Sequence, residues 1–94
     1  MRMDKLRKTI VMNLRKEGAK KIALFGSYAR NQQNPKSDVD VLVEFKRIKS
    51  FLDLVRIERE LSKKAGIKVD LLTEKAISPL IRENIKKEMK VIYK

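Results

Sequence analysis

The sequence contains neither cysteine nor histidine. Without cysteine there are no disulfides, thiolate nucleophiles or cysteine-type zinc sites, a composition that fits a reducing cytoplasm, the expected location. Without histidine the usual imidazole base and zinc ligand are missing as well. Any general base or metal ligand therefore falls to carboxylate oxygen, and oxygen donors suit magnesium or manganese. Aromatic residues are scarce, three phenylalanines and two tyrosines, too few for a platform that stacks the bases of a single strand. No apolar run approaches membrane-spanning length, and the basic N-terminal segment lacks the apolar core of a signal peptide. A soluble intracellular protein with no membrane contact is expected.

Acidic residues are outnumbered, 12 against 24 basic ones, for a net charge of +12. A balance of this kind draws nucleic acid, nucleotides or an acidic protein surface. The basic residues are spread through 2–21, 46–49, 56–68 and 86–94 and alternate with apolar positions, as on solvated helix faces. That spread favours solvation with a loose affinity for polyanions such as RNA over a dedicated nucleic-acid site. At 94 residues the expectation is one domain, residues 1–94, with a single modest core and no separate domain to hold a substrate. Whatever the core chemistry does not provide must come from a partner.

The apolar pattern sets out the elements. Met3, Leu6, Ile10 and Leu14 recur at helical spacing and Gly18 follows, so residues 4–17 read as an amphipathic helix. Residues 21–25 read as a buried strand that runs into Gly26-Ser27, after which Tyr28 to Asn31 begins a short helix and 32–37 forms a polar loop. Asp38 to Phe45 is a second strand. Ser50 caps a helix whose apolar face runs through Leu54, Ile57, Leu61 and Ala65 to Gly66. Lys68 to Thr73 is a third strand, and Ser78-Pro79 opens a last helix with Ile81, Ile85, Met89 and Ile92 as its buried stripe. This order predicts an α/β (α+β) fold, a small mixed sheet of three strands with room for a short fourth, packed against helices. Periodicity does not decide whether the third strand runs antiparallel. The apolar faces of the helix after Ser50 and of the last helix are open to a homodimer, a partner or the core.

Candidate functional residues are the acids and the turn. In a strand, side chains two apart share a face, so Asp38 and Asp40 converge while Val39, Val41 and Val43 turn the other way. Asp70, on the third strand, adds another carboxylate. The set matches what metal-dependent nucleotide transfer needs, a backbone cradle for phosphate followed by acids for divalent cations. Each residue also has a plainer reading: solvated acids at a strand mouth for Asp38 and Asp40, a surface position or lysine partner for Asp70, a turn hydroxyl for Ser27, and a surface ion pair for Arg30.

The segments Gly26-Ser27-Tyr28-Ala29-Arg30, Ser37-Asp38-Val39-Asp40-Val41-Leu42-Val43 and Val69-Asp70-Leu71-Leu72, with the Ser78-Pro79-Leu80-Ile81-Arg82 helix start, come in an order and spacing that resembles the minimal nucleotidyltransferases (MNT domains) of the DNA polymerase beta superfamily. The resemblance spans almost the whole chain. It departs at Asn31, where members commonly have glycine, and asparagine is among the residues that best tolerate a left-handed backbone. The resemblance implies the polymerase beta palm-like fold. It implies Asp38, Asp40 and Asp70 as catalytic and metal-binding residues, two magnesium ions with manganese as a substitute, and Gly26, Ser27 and Arg30 as binders of a nucleoside triphosphate, ATP. It further implies transfer of AMP to a tyrosine hydroxyl of a HEPN-type ribonuclease toxin, with this chain as the antitoxin. Two other functions stand beside it. One is a non-catalytic module that neutralises its partner by binding or senses a nucleotide, and the other is nucleotide addition to RNA or a small molecule.

Overall fold

The computed structural model describes residues 3–25, 38–73 and 77–94. Its elements are α1 (Met3–Lys16), β1 (Ala19–Phe25), β2 (Val39–Phe45), α2 (Phe51–Ala65), β3 (Val69–Thr73), α3 (Pro79–Glu88) and β4 (Lys90–Tyr93). The four strands form one mixed sheet in the order β3-β2-β1-β4, in which β1 is antiparallel to both β2 and β4 while β2 and β3 are parallel. The mixed α/β architecture is as expected. The parallel pair follows from the helix between them, because two parallel neighbours need a long crossover and α2 supplies it.

Alternation along the strands divides the core into two layers. Val39, Val41 and Val43 of β2 and Ile22 and Leu24 of β1 pack against Leu6, Ile10 and Leu14 of α1 and Ile57, Leu61 and Ala65 of α2. On the opposite face Ala23 and Leu42 meet Ile77 and Ile85, with Phe25, Leu72 and Met89 packed around them. Burying each large aliphatic side chain here is worth about 1.5–3 kcal/mol, so this sandwich is where the fold's stability concentrates. Asp40 lies between Val39 and Val41 and so belongs to the second face.

The helix boundaries have local causes. Ser50 Oγ accepts the Asp53 N–H at 3.1 Å and caps the start of α2, while Gly66, left-handed at φ 71°, ends it by donating its N–H to the Ser62 carbonyl at 3.0 Å. Gly18, at φ 93°, makes the turn from α1 into β1. Glu17 beside it receives Arg56 of α2 at 3.1 Å, which ties the two helices together at the surface. Phe51 and Leu52, 77% and 79% exposed, stand outside the core although they belong to α2.

The last helix is shorter than its stripe predicts. The spacing of Ile81, Ile85, Met89 and Ile92 carries a helix through Ile92, yet α3 ends at Glu88 and Lys90–Tyr93 turns back as β4. The reason is tertiary: β1 has a free edge, and β4 fills it with pairs Ile22–Tyr93, Ala23–Val91 and Leu24–Lys90. Ile92 and Tyr93 pack against the α1/α2 layer instead, and Tyr93 lies under the Arg15 guanidinium at 5.1 Å from the ring centre.

Candidate active site

The site begins where β2 and β3 begin. Asp38 is exposed and immediately precedes β2, and Val39, the next residue, donates its N–H to the Lys68 carbonyl at 2.9 Å, which fastens the two strand starts to each other. Asp40 then pairs in register with Asp70, and on its other side with Phe25 at the end of β1. Adjacent strands lie roughly 4.8 Å apart and paired residues share a face, so Asp40 and Asp70 present their carboxylates side by side. Asp38, two residues ahead of Asp40 on the same strand line, adds the third.

The electrostatics record this convergence. Burial first, then the Asp70 carboxylate, then that of Asp38, push the Asp40 pKa above its ordinary value. Asp70 has a lysine neighbour, Lys68 Nζ at 4.0 Å, with the lysine side chain 69% exposed, so the contact is loose and well solvated. Asp70 thus keeps a loose lysine neighbour while it stands in register with Asp40. Among the described residues no three acids are drawn into a ready-made cation cage. What the donors do fit is a hard divalent ion, since they are carboxylates only and one of them is held at a cost that a cation would relieve.

Glu58 and Ser62 of α2 escape sequence reasoning. Glu58 Oε2 accepts the Leu71 N–H at 2.8 Å and Ser62 Oγ accepts the Val69 N–H at 2.9 Å, on either side of Asp70. Their spacing, four residues apart on a helix that faces a strand, is the signal that was available. Gly26, Ser27 and Arg30, expected to bind the triphosphate, lie outside the described residues, as do Tyr28 and Asn31. A cavity of about 620 Å³ opens at the opposite end of the sheet, lined by Lys20, Phe45, Lys46, Arg47, Lys49 and Thr73 among others, and contains none of the aspartates. No helix among the described residues is long and apolar enough to cross a membrane.

Known proteins are similar to this chain in sequence and fold. The nucleotidyltransferase domain family matches residues 4–92. A protein of Methanocaldococcus jannaschii, named provisionally as a protein adenylyltransferase, is 46% identical over 88 residues, 94% of this chain and 95% of the relative. A toxin–antitoxin crystal structure with AMP-PNP superposes with a TM-score of 0.85 at 22% identity, over 93% of this chain and 72% of that one. A tri-AMPylated Shewanella oneidensis HEPN toxin in complex with MNT antitoxin gives 0.79 at 20% identity, over 96% and 71%. The two structures speak for the fold. The family match, the near full-length relative and the paired strand carboxylates agree, and the chain belongs to the nucleotidyltransferase domain family.

Proposed function

We propose that this chain is a protein adenylyltransferase that moves AMP from ATP to a tyrosine hydroxyl of a HEPN-type toxin and thereby acts as its antitoxin. The observation that carries the reading is the in-register pair Asp40–Asp70, with Asp38 one strand step away, at the shared start of two parallel strands. The relative named for protein adenylylation and the shared fold of the toxin–antitoxin complexes support the choice of nucleotide and acceptor.

In this reading Asp38 and Asp40 hold two magnesium ions, for which manganese substitutes, and Asp70 completes the site. When bound, the ions supply charge neutralisation of the triphosphate and stabilise the attacking and leaving oxygens. Asp70 receives the proton of the acceptor hydroxyl. The tyrosine oxygen bonds to the α-phosphorus, the bond from that phosphorus to the bridging oxygen breaks, and pyrophosphate carries away the electron pair. Gly26 and Ser27 offer backbone and hydroxyl donors to the phosphates, and Arg30 offers a cation. The toxin orients its own tyrosine by docking, which makes the transfer effectively intramolecular.

The test is the intact mass of the protein encoded by the neighbouring gene after incubation with this chain, ATP and magnesium. One or more AMP-sized increments are expected with the unaltered chain and none with Asp40→Asn. A stable complex without any increment would move the assignment to a module that neutralises by binding.

A further inference from the structure

The structure assigns Glu58 and Ser62 of α2 as positioning residues that hold Asp70 opposite Asp40, an inference that rests on the transferase reading above. β3 is the outer strand on its side of the sheet. Its Val69 and Leu71 N–H groups turn away from β2 and donate to α2, to Ser62 Oγ at 2.9 Å and Glu58 Oε2 at 2.8 Å. Asp70 is the residue between them.

The match is geometric. Four helical residues advance about 6 Å, and two strand residues advance about 6.6 Å, so acceptors at 58 and 62 meet donors at 71 and 69 when helix and strand run in opposite senses. Val69 and Leu71 also send their side chains into the α1/α2 layer, which leaves the Asp70 side chain on the face shared with Asp40. A slip of β3 by one residue would exchange these faces and turn Asp70 into the apolar layer. The two hydrogen bonds oppose that slip and also any lateral movement of the strand away from β2. They act on the backbone, and neither side chain is placed on the reacting atoms. Glu58 is the stronger partner, since an ionised acceptor roughly doubles the strength of such a bond.

Four variants test the assignment: Glu58→Ala, Glu58→Gln and Ser62→Ala, with Asp40→Asn as the reference for a dead site. Removing a group that orients a metal-binding carboxylate typically costs about 10–100-fold in activity. Glu58→Ala is expected to lower the rate constant of AMP transfer by that factor with the KM for ATP little changed, and to speed hydrogen exchange of the Leu71 amide in the nucleotide-free protein. Glu58→Gln keeps an acceptor oxygen, now a neutral one, and is expected to recover a large part of both losses. Should Glu58→Ala fail to fold, Glu58→Gln and Ser62→Ala carry the comparison, the latter through the Val69 amide. An unchanged Leu71 exchange rate in Glu58→Ala, or a Glu58→Gln variant as impaired as Glu58→Ala, overturns the assignment. If the unaltered chain transfers no AMP, the transferase reading has failed instead, and amide exchange at Val69 and Leu71 alone then decides whether the clamp exists.

Discussion

Asp40 and Asp70 are partners across a parallel ladder, each the second residue of its strand. Because the strands run the same way, both carboxylates sit at the same end of the sheet and on the same face. Their repulsion, added to the partial burial of Asp40, is a cost built into the ion-free protein, and the first two predictions follow from it.

Asp40→Asn should stabilise the ion-free protein while abolishing transfer. The folded-state pKa of Asp40 is raised, so the folded chain holds this proton more firmly than the unfolded one, and stability falls as pH rises from the ordinary carboxylate range through the raised value. Above that window the unaltered chain carries the full penalty and the asparagine variant does not. Thermal melts in EDTA should place Asp40→Asn a few degrees higher near neutral pH, with the gap closing in acid below the ordinary carboxylate range. A gap that widens in acid would contradict the assigned direction of the shift.

Magnesium or manganese should raise the melting temperature of the unaltered chain in proportion to the logarithm of concentration once the site begins to fill, as mass action requires of a ligand that binds only the folded state. An Asp38→Asn, Asp40→Asn double variant should show no such rise. Differential scanning fluorimetry across a magnesium series, with potassium chloride as the ionic-strength control, separates a specific site from screening of a chain of net charge +12.

Ser50→Ala removes the acceptor of the Asp53 N–H and should cost about 1 kcal/mol, seen as a lower urea midpoint with an unchanged slope. The cap lies at the end of α2 remote from Glu58 and Ser62. Rate constants for transfer should therefore stay at the level of the unaltered chain under conditions where both are folded.

Ending the chain at Met89 deletes β4 and should destabilise it well beyond any single surface change. Ile92 and Tyr93 leave the α1/α2 layer, Arg15 loses the Tyr93 ring, and the β1 edge at Ile22 to Leu24 is left unpaired. An unpaired edge of apolar residues recruits other strands. Light scattering should report self-association of the truncated chain, and a monodisperse, fully folded product would show that β4 is dispensable.

Much of this arrangement is legible in the residues. Asp38-Val39-Asp40 declares its face by alternation alone, and Ile57, Leu61 and Ala65 declare theirs by helical spacing. Ser50 and Gly66 mark both ends of α2 because capping is local chemistry. What escaped depends on contacts between segments distant in sequence. Ile92 keeps the helical period of Ile85 and Met89, and nothing nearby reveals that the free edge of β1 competes for it. Glu58 and Ser62 read as ordinary polar positions of an amphipathic helix, since their partners are backbone amides of a strand that comes later. The direction of β3 lay within reach, because a helix joining two neighbouring strands of one sheet favours a parallel pair.

The return of β4 to the edge of β1 also constrains how the protein is made. Among the described elements β1 is the second and β4 the seventh, so a ribosome has released β1 before its outer neighbour exists. The sheet is completed only when residue 93 clears the exit tunnel. Pairings between such distant segments lengthen the search for the native state and slow folding. Until then one edge of the central β1–β2 hairpin stays open to chaperones, or to a second nascent copy on the same polysome.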